Sequence, residues 1–387
     1  MVIPYSHASV RLTGRWKQEP DRAVTTAPGS YLEFAFSGDM AVIRFDTAIN
    51  QTPHLHLWVQ LDGGDRIETP VDSYLRVCAE TPDVHICRVI FKGSIEQTGR
   101  WYAPLTGALQ FLGIQTEQPA PLMPDPRPVL EFIGDSITEG VLIDTDYCEQ
   151  TRDAFELDQL NRPYQDDCCA TWAWLTAEAL NCRPVFMGYG AVGITRKGCG
   201  WVPPAPDSYP FFFDGAPLEG LPQADIAVIN HGANDSGKAP ELYRQGYIRL
   251  LDAVRRRSPR AEIFAVSAFC GTHQDTLKDL VADYNAANRT EVHFINASGW
   301  IPPEPLHPHR EGHKTVAEHL TPLMQAALKQ SLHNGKEQEL VHSRMNINEI
   351  SDFCGFSDAN YFFRQFKSRY GVSPSQYRKL HGEEKPG

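Results

Sequence analysis

The stretch VLEFIGDSITEG, residues 129–140, decides how the chain is read. An apolar run stops at Gly134 and is followed at once by Asp135, Ser136 and, three residues on, Glu139. A continuous apolar run of this length fits a strand buried on both faces, as in a parallel sheet. Ser-x-x-Glu is the capping-box pattern that opens a helix. Ser136 is therefore either a helix cap or a nucleophile at the carboxyl end of a strand, where open α/β sheets place their ligands. The stretch by itself leaves both open.

Working outward, the same texture repeats from residue 129 to about 330. Strand-like runs RPVFMGYG, DIAVINHG, AEIFAVSAF and VHFINASG alternate with helical stretches such as CCATWAWLTAEALN, ELYRQGYIRLLDAVRRR and KTVAEHLTPLMQAALKQ. Alternating strands and helices indicate a three-layer α/β domain with helices on both faces of the sheet. Residues 134–136, 188–193, 231–234 and 298–307 all follow strand-like runs, so they are expected to converge on one rim.

Residues 1–120 differ. SYLEFAFSG, AVIRFDTA, HLHLWVQLDGG and VHICRVIFKGS are short runs of alternating polarity broken by Gly, Asp and Pro, the pattern of a β-sandwich or jelly roll. LDGGD, residues 61–65, reads as a hairpin turn. QPAPLMPDPRP, residues 118–128, holds five prolines in eleven residues and reads as a stiff linker. A third zone, 336–387, reads as short helices split by GFSD; its net charge is +1, leaving −13 for the rest of a chain that totals −12. That acidity argues against non-specific nucleic-acid binding by the whole chain.

No apolar stretch reaches the length of a membrane span, so no membrane partner is expected. The first residues lack the pattern of a signal peptide. Nine scattered cysteines without CxxC spacing read as reduced thiols, and the expected location is cytoplasmic.

Acyl transfer needs a nucleophile, a base and donors for an oxyanion. Ser136 supplies the first. In PEPLHPHREGH, residues 303–313, His307 stands before Pro308, a residue suited to the first helical position, so His307 is expected near the helix cap and facing the rim. His309 and His313 read as surface or packing residues. NHGAND offers the Asn234 amide, and GYGAVGITRKG offers glycine N–H groups. These four elements arrive in order, each at a strand end.

GDSITEG, GYGAVG, GAND and EPLH together resemble the four blocks of the SGNH, or GDSL, hydrolases. The resemblance covers residues 129–330 and implies a flavodoxin-like three-layer domain. It makes Ser136 the nucleophile and His307 the base. The oxyanion donors become the N–H of Ser136, Gly190 (with Gly193 as the alternative) and Asn234. The family has Asp at the position of Glu304, so Glu304 is expected either to orient His307 or to leave a Ser–His dyad. Asp135 organises the turn in relatives. A β-rich domain ahead of such a hydrolase resembles the second carbohydrate esterase family, which implies acetyl-ester hydrolysis on sugars of the acetyl xylan esterase type. Tyr189, Trp201 and Trp300 are candidate stacking residues for a sugar, and Asp135 is counted with them as a candidate substrate-binding residue. The substrate is then an acetylated oligosaccharide or a small ester; no metal or organic cofactor is implied.

INEISDFCGFSDANYFFRQFKSRYGVSPSQYRK resembles the second helix-turn-helix of AraC-type regulators, with a recognition helix expected over 358–370 and Arg364, Gln365, Lys367, Ser368 and Arg369 on its polar face. One motif where that family uses two implies few phosphate contacts and weak DNA binding. The tail is expected to be a packed or homo-oligomer-forming appendage; the alternative is a regulator that senses a sugar or ester and binds DNA.

Overall fold

A computed structural model describes residues 2–145, 162–342, 346–353, 360, 363–364, 366–367 and 372–381. Ten strands fill the first third: β1 (Val2–Pro4), β2 (Val10–Thr13), β3 (Lys17–Gln18), β4 (Ala23–Thr25), β5 (Tyr31–Phe45), β6 (His56–Leu61), β7 (Arg66–Pro70), β8 (Tyr74–Cys78), β9 (Val84–Gly93) and β10 (Leu109–Ala120). All belong to one antiparallel network. β5 explains how it closes. Its first half pairs with β2 and β9 and its second half with β8, while β10 runs along it from Phe45 back to Ala35; the change from β9 to β8 occurs around Gly38, at φ 107. A strand that changes partners bends one sheet over the other, and Phe34, Phe36, Ile43, Leu57, Phe91 and Phe111 fill the space between. LDGGD is the expected hairpin. Asp62 and Gly63 take φ 51 and 72, the paired positive values that match strand twist.

The second sheet contains β11 (Val129–Gly134), β12 (Arg183–Gly188), β15 (Ile226–Asn230), β16 (Glu262–Val266) and β17 (Val292–Ile295); a small hairpin, β13 (Phe211–Phe213) and β14 (Ala216–Pro217), lies apart. Its order is β12-β11-β15-β16-β17, every pair parallel. Neighbouring side chains alternate between two cores, as the pleat requires. Leu130, Phe132 and Val228 face Trp172, Val316 and Leu320, whereas Ile133, Ala227 and Ile229 face Tyr247, Leu250 and Leu280. Among the described residues the α-helices are α1 (Ser136–Glu139), α2 (Arg162–Gln165), α3 (Trp172–Ala179), α4 (Ala205–Ser208), α5 (Pro240–Arg257), α6 (Gln274–Asn288), α7 (Arg310–His342), α8 (Ile347–Phe353) and α9 (Pro374–His381). The α/β architecture is thus the three-layer one expected.

Two expectations need correction here. The last helix of the sheet starts at Arg310, so His307 lies in the preceding loop and not at a cap. A residue before proline is pushed towards extended backbone, which holds His307 out of the helix. That helix also runs past 330 to His342, joining the second sheet to the tail without a break. In the tail, Asn346 with Glu349 and Ser373 with Gln376 form reciprocal caps for α8 and α9. Most of the expected recognition helix, 358–370, lies outside the described residues. Among the described residues no helix is long and apolar enough to cross a membrane.

Candidate active site

β11 ends at Gly134 because the chain must pass close to its own next turn. A Cβ at this position would sit 2.0 Å from Thr138 Oγ1. Asp135, and not Ser136, is the N-cap of α1, its Oδ1 accepting from the Ile137 N–H at 3.0 Å. Ser136 is thereby the first helical residue, 7% exposed, at the terminus where the helix dipole favours negative charge. His307 Nε2 lies 3.0 Å from Ser136 Oγ. Burial, with the Arg162 charge behind it, pulls His307 down to about 4, so its imidazole is neutral at pH 7.

The block around Asn234 ties the rim together. Asn234 Nδ2 donates to the Val192 carbonyl at 3.1 Å and to Asp135 Oδ2 at 3.3 Å. Burial pushes Asp135 up to about 7, with the nearby Asp235 charge adding to it. Asp235 accepts from the N–H groups of Ile194 and Thr195 and from Thr195 Oγ1, at 2.9, 2.8 and 2.7 Å. Two adjacent side chains of GAND therefore clamp the loop that follows β12.

Several expected site residues are placed differently. Gly190 N–H is not open to a ligand, because it donates to Glu139 Oε2 at 2.6 Å. Gly193 N–H is engaged by the Arg196 carbonyl at 2.9 Å. Between them Ala191, at φ 59 and only half-buried, has no hydrogen-bond partner for its N–H among the described residues. Glu139 does not close a capping box; it faces Arg100 of the first sheet's 94–107 loop and that Gly190 amide. Glu304 is exposed and makes no ion pair or hydrogen bond with His307. Tyr189 is 2% exposed, with its hydroxyl 3.0 Å from Thr26 Oγ1, so it packs the domain contact and offers no face to a sugar. Trp300 is partly buried and stacks on His319, with centroids 4.8 Å apart. Trp201 alone of the three presents its ring, at 63% exposed, with Lys197 Nζ 5.6 Å from its centroid.

Asp235, Arg100 and Glu139 were not singled out from sequence for this positioning. Asp235 and Glu139 lie inside recognised blocks, so the signal was there. Arg100 lies in the other sheet, and nothing local marks it. One cluster has metal-ligand types. Asp167, Cys168 and Cys169 have ligand atoms within 4.8 Å of one another, but the Asp167 carboxylate already accepts from Trp58 Nε1, Cys169 N and Arg310. The seven described cysteines are all free.

Comparison with known proteins follows the same division. Residues 132–315 match the GDSL-like Lipase/Acylhydrolase family, and Ser136, Gly190, Asn234 and His307 all lie within that span. Solved structures extend the likeness to both sheets. A family two carbohydrate esterase from Cellvibrio japonicus is 18% identical, with TM-score 0.70, over 85% of this chain and 98% of that one. One from Clostridium thermocellum, in complex with cellohexaose, is 23% identical, with TM-score 0.66, over 83% and 99%. The acetyl xylan esterase Est2A of Butyrivibrio proteoclasticus is 17% identical, with TM-score 0.66, over 85% and 98%. At these identities the likeness is one of fold. Residues 340–379 match the bacterial regulatory helix-turn-helix proteins of the AraC family. The HTH-type transcriptional activator RhaR of Escherichia coli (strain K12) is 47% identical over 45 residues, which is 12% of this chain and only 16% of that protein.

Proposed function

We propose that the protein hydrolyses short acyl esters, with acetylated sugars or oligosaccharides as the substrate class, using Ser136 as nucleophile and His307 as base. The observation that carries this is the 3.0 Å contact between His307 Nε2 and Ser136 Oγ at the carboxyl end of β11. Neutral His307 takes the hydroxyl proton as Oγ attacks the acyl carbonyl. The oxyanion falls among three donors. Ser136 N–H lies in the first turn of α1, where no intrahelical acceptor exists. Ala191 N–H replaces the engaged Gly190, and Asn234 gives up the longer of its two bonds. Ala191 holds a left-handed conformation that costs a non-glycine residue of order 1–3 kcal/mol, and such outliers gather where a backbone group is aimed. Protonated His307 then hands its proton to the departing alcohol, and a water activated by the same imidazole frees the acid.

The acetyl preference and the sugar rest on the shared fold and on the open ring of Trp201, which suits stacking on a pyranose face. The test is a chain-length series of p-nitrophenyl esters beside acetylated xylo-oligosaccharides. Acetate should be favoured over octanoate, with acetic acid released from the oligosaccharide. Equal rates on all chain lengths and no acetate release would refute the substrate class.

A second reading concerns the tail. Its 47% identity to RhaR over 45 residues favours a DNA contact by this segment, in a protein that senses the ester or sugar it binds. A shift assay at low salt against operator-like duplexes tests it, and the absence of any retarded complex removes it.

A further inference from the structure

We infer that Arg100, contributed by the N-terminal sheet, is a positioning residue for the hydrolase: acting through Glu139, it fixes the loop that carries the oxyanion donor. The inference rests on the esterase reading above and extends it to a residue outside the GDSL-like domain.

The chain of contacts is short. Arg100 is 0% exposed, and its Nη1 donates to Glu139 Oε1. The other oxygen of that carboxylate, Oε2, accepts the Gly190 N–H at 2.6 Å. Each oxygen thus has one charge-assisted or amide partner, and the carboxylate plane is set between the two sheets. With Gly190 N–H turned inward, the next amide, Ala191, is left half-exposed at φ 59. The inward turn needs glycine, because a Cβ at 190 would lie 2.0 Å from Glu96 Oε2.

The loop that carries Arg100 is itself held. Gly99 N–H donates to Thr106 Oγ1 at 2.9 Å, and Gly107 N–H donates to the Gly99 carbonyl at 3.0 Å. Arg100 N–H donates across the sheet boundary to the Gly200 carbonyl at 3.2 Å. The guanidinium sits 5.8 Å from the Tyr189 ring centroid. Arg100 therefore has a defined position before substrate arrives, which is the condition for pre-organisation.

The alternative role for the same contacts is that a buried ion pair only glues two sheets. The two differ in what they predict for catalysis. Removing glue lowers stability and leaves the turnover of folded molecules alone. Removing a positioning residue lowers kcat, because a donor displaced by about 1 Å costs on the order of 10²-fold.

The experiment uses the full chain, with Arg100→Met, Glu139→Gln and the double variant, assayed on p-nitrophenyl acetate. Rates of inactivation by a p-nitrophenyl alkylphosphonate are measured in parallel, since its phosphoryl oxygen occupies the oxyanion site. Each single variant removes the opposite charge nearest to the other member of the pair, so the double variant, which neutralises both, is the safeguard for folding. The expected result is a loss of about 10- to 100-fold in kcat with KM within threefold. Phosphonate inactivation should slow in parallel, and the double variant should be no worse than the poorer single one. A folded double variant whose kcat and inactivation rate stay within threefold of wild type overturns the inference. Loss of all activity in the wild type would instead overturn the esterase reading beneath it.

Discussion

At the residue scale the site turns on which polar groups are already engaged. Ser136 and His307 meet at 3.0 Å, a hydroxyl and a neutral imidazole within hydrogen-bond reach. Ser136→Ala should lower kcat/KM on acetate esters by at least about 10³-fold, measured under single-turnover conditions to exclude trace contamination. Glu304 behaves oppositely. Exposed and unpaired with His307, it should tolerate replacement by Ala with kcat/KM changed less than threefold; a loss of a hundredfold would restore it as the orienting acid. The Ser and His were legible in the sequence because Ser136 directly follows an apolar strand run and His307 stands before Pro308, just ahead of the last helix. The fate of Gly190 N–H was not, because a backbone amide's partner is set by a residue 51 positions earlier, Glu139. Nor was the placement of Glu304: spacing along the chain says nothing about which way a carboxylate points between two prolines.

At the element scale, α1 and the loop after β12 are one mechanical unit. Gly190→Ala would drive its methyl group into Glu96 Oε2. Gly190→Ala should therefore lower kcat/KM at least about tenfold while leaving the sheet's far-ultraviolet signature intact. The first turn of α7 carries a further buried group, His313, whose Nδ1 accepts from the Trp172 N–H at 3.1 Å. Burial, then the neighbouring His307, holds it down to about 3. Because the folded-state value lies below the unfolded 6.5, its stabilising contribution is complete above pH 6.5 and is lost as pH falls towards 3. His313→Gln keeps an acceptor and removes the titration. It should flatten the pH dependence of the unfolding free energy, measured by denaturant titration between pH 6.5 and 4, by up to about 1.4 kcal/mol per pH unit. The strands themselves were legible as apolar runs. Even Glu131, in the middle of β11, is explained by the company that such a run hides: Tyr209 Oη at 3.0 Å and Arg257 at 3.1 Å.

At the scale of the whole molecule, the two sheets share their site. Trp58 Nε1 reaches Asp167 at 2.9 Å, Lys92 Nζ reaches the Pro163 carbonyl at 2.8 Å, and Arg100 reaches Glu139. A chain starting at residue 122 would lose these partners and uncover Trp174 and Phe186, which pack against Tyr31 and Ile90 of the first sheet, so it should be insoluble or inactive on acetate esters. Recovery of full activity in that fragment would show that the first sheet is dispensable. The zones of the chain were visible in composition, because a sandwich alternates polarity where a parallel sheet does not. The polar seam between them was not, since it joins residues tens of positions apart in the chain.

The central claim is a covalent one: Ser136 carries the acyl group. Incubation with a p-nitrophenyl alkylphosphonate, followed by peptide mass spectrometry, tests it most directly. One phosphonyl group per chain should appear on the peptide containing Ser136, in step with loss of acetate-ester hydrolysis, and His307→Ala should label far more slowly. Complete loss of activity with the label on another residue, or hydrolysis unchanged after full labelling of Ser136, would contradict the account.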